Sequence, residues 1–230
     1  MRFSSIRQRT GLLALNLCIL LFVSITMGVS IGSVSIPFGR VWGIILHQLF
    51  PDWQTFARDW PKNEVGIVWQ LRLPRVLLGS LVGAGLMMAG ATIQSLVRNS
   101  LADPYLLGIS SGACAGAVLA ILFAGKLLGA AFSGMPTVSL LAFLGALLAF
   151  ALVFLIASRG SGLTPMRMVL SGLAVSYIFM AMTNFLVYLN QRSGAETAMF
   201  WMLGGLGGAR WDRLPIPFAV TSLCLVVLML

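Results

Sequence analysis

Long uninterrupted runs of apolar residues dominate this sequence and limit what it can fold into. Of its 230 residues, 59% are hydrophobic and 9% are charged, whereas soluble domains carry about 45–50% apolar and about 25% charged residues. Helices and closed barrels are the structures that satisfy their own backbone hydrogen bonds in lipid. The roughly 10-residue alternating strands of a barrel are missing, so the sequence predicts an all-α polytopic membrane protein.

The apolar runs predict about six transmembrane helices in a single membrane domain, since roughly 20 apolar residues cross a bilayer. They fall at about 12–34, 71–97, 105–125, 137–158, 165–190 and 214–230. The first run follows MRFSSIRQRT, a basic start that also resembles a signal peptide. Because that run exceeds the roughly 7–15 residues of a signal core, we expect it to be retained as a span.

The connection 35–70 is the longest polar segment between these runs. Its sequence PFGRVWGIILHQLF has the helical stripe of an interfacial helix, formed by Phe38, Val41, Trp42, Ile45, Leu46 and Leu49. Four tryptophans fit an aromatic belt at the membrane surface, namely Trp42, Trp53, Trp60 and Trp69. An ordinary loop with scattered tryptophans is the alternative.

The cations do not settle the orientation by number alone. With the N-terminus in the cytoplasm, six cations would lie inside and nine outside, which favours the inverted topology. However, the positive-inside rule weights short loops, and the first helix usually dominates. Three arginines and no acid precede the first span, so we expect a cytoplasmic N-terminus.

The stretch RNSLADPYLLGISSGA, residues 98–113, predicts a tight turn between two spans. Asn99 lies at the lipid–water boundary in this interpretation. Asp103 and Pro104 form a helix start, because Asp accepts free N–H groups of the first turn and Pro gives up no hydrogen bond there.

Glycines recur at four-residue spacing on both sides of that turn. Gly108, Gly112 and Gly116 follow it, and Gly79 and Gly83 precede it in the second span. Lipid gives no hydrophobic reward for helix pairing, so small residues favour association by allowing close backbone approach. We therefore expect spans two and three to pack here, with a gate or a substrate path as the alternative.

The sequence offers little for chemistry. His47 is the single histidine, and Cys18, Cys114 and Cys224 show no metal-ligand spacing, so neither a metal site, a disulfide framework nor a catalytic triad is expected. The deepest polar side chains of the spans are Gln94, Thr183 and Asn184, and no Asp, Glu, Lys or Arg lies mid-span. A proton- or sodium-coupled carrier usually keeps one there. The transport classes that remain are a passive conduit and a pore driven by a partner.

Several long motifs resemble one known family. The pattern R-x-P-R, a glycine-rich span, G-A-x-x-Q, R-N-x-L-A-D-P and L-G-x-x-x-G-A runs through residues 71–113. Together with MVLSGLAVSYIFMAM (168–182) and WMLGGLGGARW (201–211), whose glycines permit a bend, it resembles the FecCD/BtuC-like permeases of bacterial iron-siderophore, haem and cobalamin ABC importers. Ser100 stands where the family usually has proline, so we expect a slightly looser turn.

The resemblance implies a function and a set of partners. It implies a multi-pass protein of the bacterial inner membrane without cofactor or enzymatic activity, paired with a second permease subunit. A cytoplasmic ABC ATPase would supply energy, a periplasmic binding protein would deliver the chelate, and nucleic acid has no part. It places Arg72 and Arg75 at binding-protein docking, with anchoring at lipid head groups as the alternative. It also makes Met180, Asn184 and Tyr188 candidates for the translocation path, or for packing.

Length is the main departure from the family pattern. Members have about ten spans, and this sequence corresponds to the N-terminal portion, without the later loop that grips the ATPase. A fragment, a truncated gene product and one half of a split permease all fit. Two other functions stay open: a non-transporting remnant, and a channel or carrier that needs no partner.

Overall fold

The computed structural model describes residues 2–51, 60–99, 103–127, 129, 134–159, 164–190 and 194–230. These residues form helices joined by turns, which confirms the predicted all-α class. The helices are α1 (Arg2–Ser30), α2 (Phe38–Leu49), α3 (Lys62–Val97), α4 (Ile109–Leu119, continued to Leu127), α5 (Met135–Ser158), α6 (Pro165–Leu189), α7 (Ala195–Leu203) and α8 (Pro215–Met229). Short 3-10 turns occur at Pro104–Leu107 and Trp211–Arg213.

Five helices among the described residues are long and apolar enough to cross a membrane. They cover Arg9–Ser30, Lys62–Val97, Met135–Ser158, Pro165–Leu189 and Trp211–Met229. The remaining predicted span, the third at 105–125, is instead the shorter apolar helix Ile109–Ala124. Its start is delayed because Pro104–Leu107 is a 3-10 turn and Gly108 has a left-handed φ of 72°, a conformation that favours glycine.

The polar connection is shorter than the sequence predicts. Helix α2 forms where the apolar stripe predicts a helix, and its interfacial position stays a prediction. By contrast, residues 62–70 belong to α3, which begins directly after Pro61. The helix therefore begins before the predicted span 71–97, in the polar residues Lys62, Asn63 and Glu64, and the point where it enters the membrane stays a prediction.

The described contacts group into two compact units. The first comprises residues 1–85 and 206–230, and the second comprises residues 86–205. Each has its own buried cluster. In the first, α1, α2 and the start of α3 bury Val29, Ile36, Val41, Ile44, Ile45, Val68 and Leu73.

The second unit is held together by close approach of helix backbones. A Cβ atom added to Gly112 would collide with the Gly145 carbonyl of α5, and one added to Gly116 would collide with the Leu141 carbonyl. Gly108 instead lies against α6, where an added Cβ would stand 3.4 Å from the Gly172 oxygen. The glycines thus bring α4 against α5 and α6.

The expected pairing of spans two and three through these glycines stays a prediction, because Gly79 and Gly83 belong to the first unit and Gly108, Gly112 and Gly116 belong to the second. Gly79 of α3 faces Leu206, whose Cδ1 would lie 3.3 Å from an added Cβ, and Gly83 has no described atom within 4 Å of that position. Four-residue spacing identifies a surface suited to close packing. It does not identify the helix that fills it, since α5 supplies a matching glycine, Gly145.

We predict that Gly116→Ala destabilises the protein by about 1–3 kcal/mol, because the new methyl group overpacks a backbone contact that cannot rotate away. The matched control is Gly83→Ala, which has open space around its Cβ and gains helix propensity. Thermal unfolding of both variants in detergent, followed by size-exclusion chromatography, measures the difference. Equal melting temperatures would contradict the described α4–α5 contact.

Candidate functional site

Arg72 binds the C-terminal end of α1. Its Nη1 donates to the carbonyl oxygens of Val29 at 2.9 Å and Ser30 at 3.0 Å. Its Nη2 donates to the carbonyl of Val34 at 2.5 Å. The last four carbonyls of a helix have no partner within the helix, and a cation there is also favoured by the helix dipole. Arg72 therefore caps α1 and fixes the turn that follows it.

The surroundings of Arg72 are shaped to receive its guanidinium group. A Cβ atom at Gly32 would collide with that group, standing 2.8 Å from its Cζ atom. The same turn is closed from within, because the Ser30 hydroxyl donates to the Ile36 carbonyl and the Ile36 N–H donates to the Ser30 carbonyl at 3.1 Å. The Arg72 side chain thus uses its hydrogen-bond donors within its own chain.

A π-helical segment, Gly66–Arg72, precedes Pro74 in α3. In this register the Leu73 N–H donates to the carbonyl five residues earlier, that of Val68. The next donor in the same register would be residue 74, and proline has no N–H. The carbonyl of Trp69 is left without its helical donor, and the indole N–H of Trp211 donates to it at 2.8 Å.

The two indole rings reinforce this hydrogen bond. The rings of Trp69 and Trp211 lie 4.7 Å apart between centroids with a 34° tilt. Trp211 starts the 3-10 turn Trp211–Arg213 that leads into α8. Residues far apart in the sequence are therefore joined beside the R-x-P-R motif.

Arg75 differs from Arg72 in its surroundings. It is exposed, and within the described part of the chain no hydrogen bond or ion pair involves it. Its Nη2 lies 4.0 Å from the position that a Cβ of Gly207 would occupy. The next residue, Gly208, accepts a hydrogen bond from Arg213 Nη1 at 3.3 Å. Arg75 and Arg213 thus flank two neighbouring glycines.

The candidates for a translocation path share one face of α6. Met180 is 44% exposed and Tyr188 is 68% exposed, and Asn184 is exposed between them. The opposite face is buried in the second unit, with Met168, Ser171, Gly172, Val175, Phe179 and Thr183. The three candidates therefore face away from the packing of their own unit.

The predicted turn residues cap a 3-10 turn. The Asp103 carboxylate accepts a hydrogen bond from the Tyr105 N–H at 2.8 Å, and Pro104 occupies the first position of the turn. The backbone N–H of Asn99 donates to the Gln94 carbonyl at 3.2 Å, closing the end of α3.

Ser100, Trp53 and Arg58 lie outside the described residues. Within the described residues there is no group of three potential metal ligands.

Long apolar helices, close glycine contacts and capped helix ends define this chain as a polytopic membrane protein. A model described as the FecCD transport family matches residues 19–230. The chain belongs to that family, as its motifs predict.

Curated relatives carry related names. The achromobactin transport system permease protein of Dickeya dadantii is 36% identical over 191 residues, covering 79% of this chain and 53% of that protein. A vitamin B12 import system permease protein of Serratia proteamaculans is 39% identical over 193 residues, with 82% and 52% covered. A Fe(3+)-citrate import system permease protein of Bacillus subtilis is 37% identical over 175 residues, with 75% and 49% covered. The chain thus spans about half the length of these relatives.

A solved structure has the same fold. It is described as an inward-facing conformation of a metal-chelate type ABC transporter, and it matches with a TM-score of 0.68 and 26% sequence identity. The match covers 93% of this chain and 60% of that one.

Sequence reasoning missed Trp211 and Arg213 as parts of this site. It interpreted residues 201–211 as a glycine-rich bend or a plain glycine loop, and Gly204, with a left-handed φ of 74°, lies where α7 ends. A sequence signal for Trp211 did exist: Pro74 leaves an α3 carbonyl without a donor. The sequence does not show which distant side chain supplies one.

We predict that Arg72→Lys lowers the free energy of unfolding by about 1–3 kcal/mol. Lysine keeps the charge but lacks the fork that reaches three carbonyls at once. Arg75→Lys is the control, because the Arg75 guanidinium group makes no described hydrogen bond. Thermal unfolding in detergent compares the two variants. An unchanged Arg72→Lys protein would show that the carbonyl contacts contribute nothing.

Proposed function

We propose that this chain is a permease subunit of an ATP-driven importer that carries an iron-siderophore or related metal chelate across the bacterial inner membrane. The observation that carries the proposal is the family match over residues 19–230. Relatives named for achromobactin, vitamin B12 and Fe(3+)-citrate support this cargo class. The described residues would supply passage and docking, and a separate ABC ATPase would supply the energy.

The proposed assembly contains a second permease subunit, two cytoplasmic ATPase subunits and a periplasmic binding protein. The N-terminus is cytoplasmic in this proposal, which puts the R-x-P-R motif at the periplasmic end of α3. The basic start of the sequence supports this orientation. The exposed face of α6 supports a second subunit or a path beside it, because a polar side chain there is costly in lipid.

Asn184 gives the strongest local argument for a path. Its side chain is exposed next to the exposed apolar side chain of Phe185, and an amide without a partner in hydrocarbon costs several kcal/mol. Water or a partner surface would satisfy it. Met180 and Tyr188 flank it on the same face, and a thioether and a phenol suit a large chelate with mixed polarity.

We predict that Asn184→Leu lowers ATP-dependent uptake at least several-fold while the protein stays folded, because it removes the polar group from the proposed path. The control is Phe185→Leu, which alters an exposed side chain at the next position on a different part of the helix. Uptake in reconstituted vesicles measures both. Equal uptake by the two variants would assign Asn184 to packing.

The function itself is tested by reconstitution. We expect the assembled transporter in liposomes to take up a radioactive ferric siderophore only with ATP and the binding protein present. Cyanocobalamin and haem in parallel reactions identify the cargo class. Flux through liposomes that contain this chain alone would instead indicate a channel or carrier. Unchanged iron uptake after deletion of the gene would indicate a non-transporting remnant.

A further inference from the structure

The carbonyl of Trp69 has a different hydrogen-bond donor in each of the two registers open to the segment Gly66–Arg72. In the π-helical register, the Leu73 N–H donates to the Val68 carbonyl, and the Trp211 indole donates to the Trp69 carbonyl at 2.8 Å. In a regular α-helix an N–H donates to the carbonyl four residues earlier, so the Leu73 N–H would donate to Trp69 instead. The two donors therefore compete for one acceptor.

Pro74 prevents either register from satisfying every carbonyl of α3. Because proline has no N–H, one carbonyl lacks a helical donor in both cases. In the π register that carbonyl belongs to Trp69, and in the α register it would belong to Gln70, which is exposed. The Trp211 indole reaches the Trp69 carbonyl, so its hydrogen bond stabilises the π register alone.

The chain before the π segment holds α2 in place. Glu64 accepts a hydrogen bond from Arg40 of α2 at 3.0 Å, and the Trp60 ring covers Gly43, where an added Cβ would stand 2.7 Å from a ring carbon. At the other end of the segment, Arg72 is bound to the carbonyls at the end of α1. Since one helical residue corresponds to about 100° of rotation, a change of register would turn Glu64 and Trp60 relative to Arg72.

Trp211 follows a glycine-rich bend that lies at the boundary between the two units. Gly204 and Gly205 have φ angles of 74° and 156°, and the chain passes from the second unit to the first between Gly205 and Leu206. No helix lies between Leu206 and Trp211. A change in the conformation of the bend is therefore transmitted to the Trp211 indole over a few residues.

We propose that the Trp69 carbonyl is the acceptor of a register switch in α3. With the Trp211 indole bound, the segment Gly66–Arg72 is held in the π register. When the indole is withdrawn, the Leu73 N–H takes the carbonyl and the segment becomes α-helical. The bend before Trp211 operates the switch, and the placement of α2 is its output. The switch needs no particular cargo or partner, so it goes beyond the function proposed above.

Double electron–electron resonance measures the register in this chain reconstituted in nanodiscs. Spin labels are attached at Lys62→Cys and Val82→Cys in a background without the native cysteines. Both positions are exposed, lie in the first unit and bracket the π segment, at a separation of about 30 Å along the helix. Trp211→Phe should raise the population of a second distance at least about fivefold, because it removes the hydrogen bond that favours the π register.

The matched control is Trp69→Phe. It removes the same atoms from the other ring of the pair but keeps the backbone acceptor and the Trp211 donor, so the wild-type distance should persist. Replacing Trp211 by benzothienylalanine, an isostere with sulfur in place of the indole N–H, should act like Trp211→Phe while the shape of the side chain is kept. Adding Pro74→Ala supplies an N–H in either register and should reduce the effect of Trp211→Phe to less than about twofold.

Three results would contradict the switch. Unchanged distances in both Trp211→Phe and the isostere variant would make the indole an anchor of the turn without control over the register. Equal shifts from Trp211→Phe and Trp69→Phe would assign the effect to the ring contact. An undiminished shift in the presence of Pro74→Ala would show that the open carbonyl is not the cause. Because these distances are measured without cargo, ATP or binding protein, such results would leave the proposed function standing, and a failure of uptake would leave the switch standing.

Discussion

Backbone carbonyls that lack a helical donor organise the first unit of this protein. The end of α1 leaves carbonyls unpaired, and Arg72 binds them. The proline in α3 leaves another, and Trp211 binds it. A carbonyl left without a helical donor favours a hydrogen bond from elsewhere in the chain, so each of these two positions supports a tertiary contact. These two sets of hydrogen bonds hold α1 and the turn before α8 against α3.

The same constraint has a different solution in the second unit. There the problem is contact between apolar helices in an apolar solvent. Gly112, Gly116 and Gly145 let α4 and α5 approach until backbone touches backbone, which increases dispersion contact where hydrophobic burial gives little. Because α4 is short, this contact also holds a helix that spans less of the bilayer than its neighbours do.

The sequence alone predicts the local features of this structure, but it does not predict which distant residues contact each other. Apolar runs locate the long helices, and the Asp103 cap can be anticipated because its partner is two residues away. The helix that packs against Gly112 and Gly116 could not be anticipated, because α3 and α5 both offer glycines and the choice between them depends on the complete packing. The start of α3 was missed because its first turn is polar, and the Trp211 contact because its two residues are 142 positions apart.

The two arginines of the R-x-P-R motif have different roles in the fold. Arg72 and Arg75 are three residues apart, and both were candidates for docking on sequence grounds. Recruiting Arg72 to a partner would strip the α1 carbonyls of their donors, a cost of about 1–3 kcal/mol for groups left unsatisfied. Arg75 loses nothing in the same step, because it has no internal partner among the described residues. The side chain that already holds the fold together would therefore be the costlier of the two to lend to a partner.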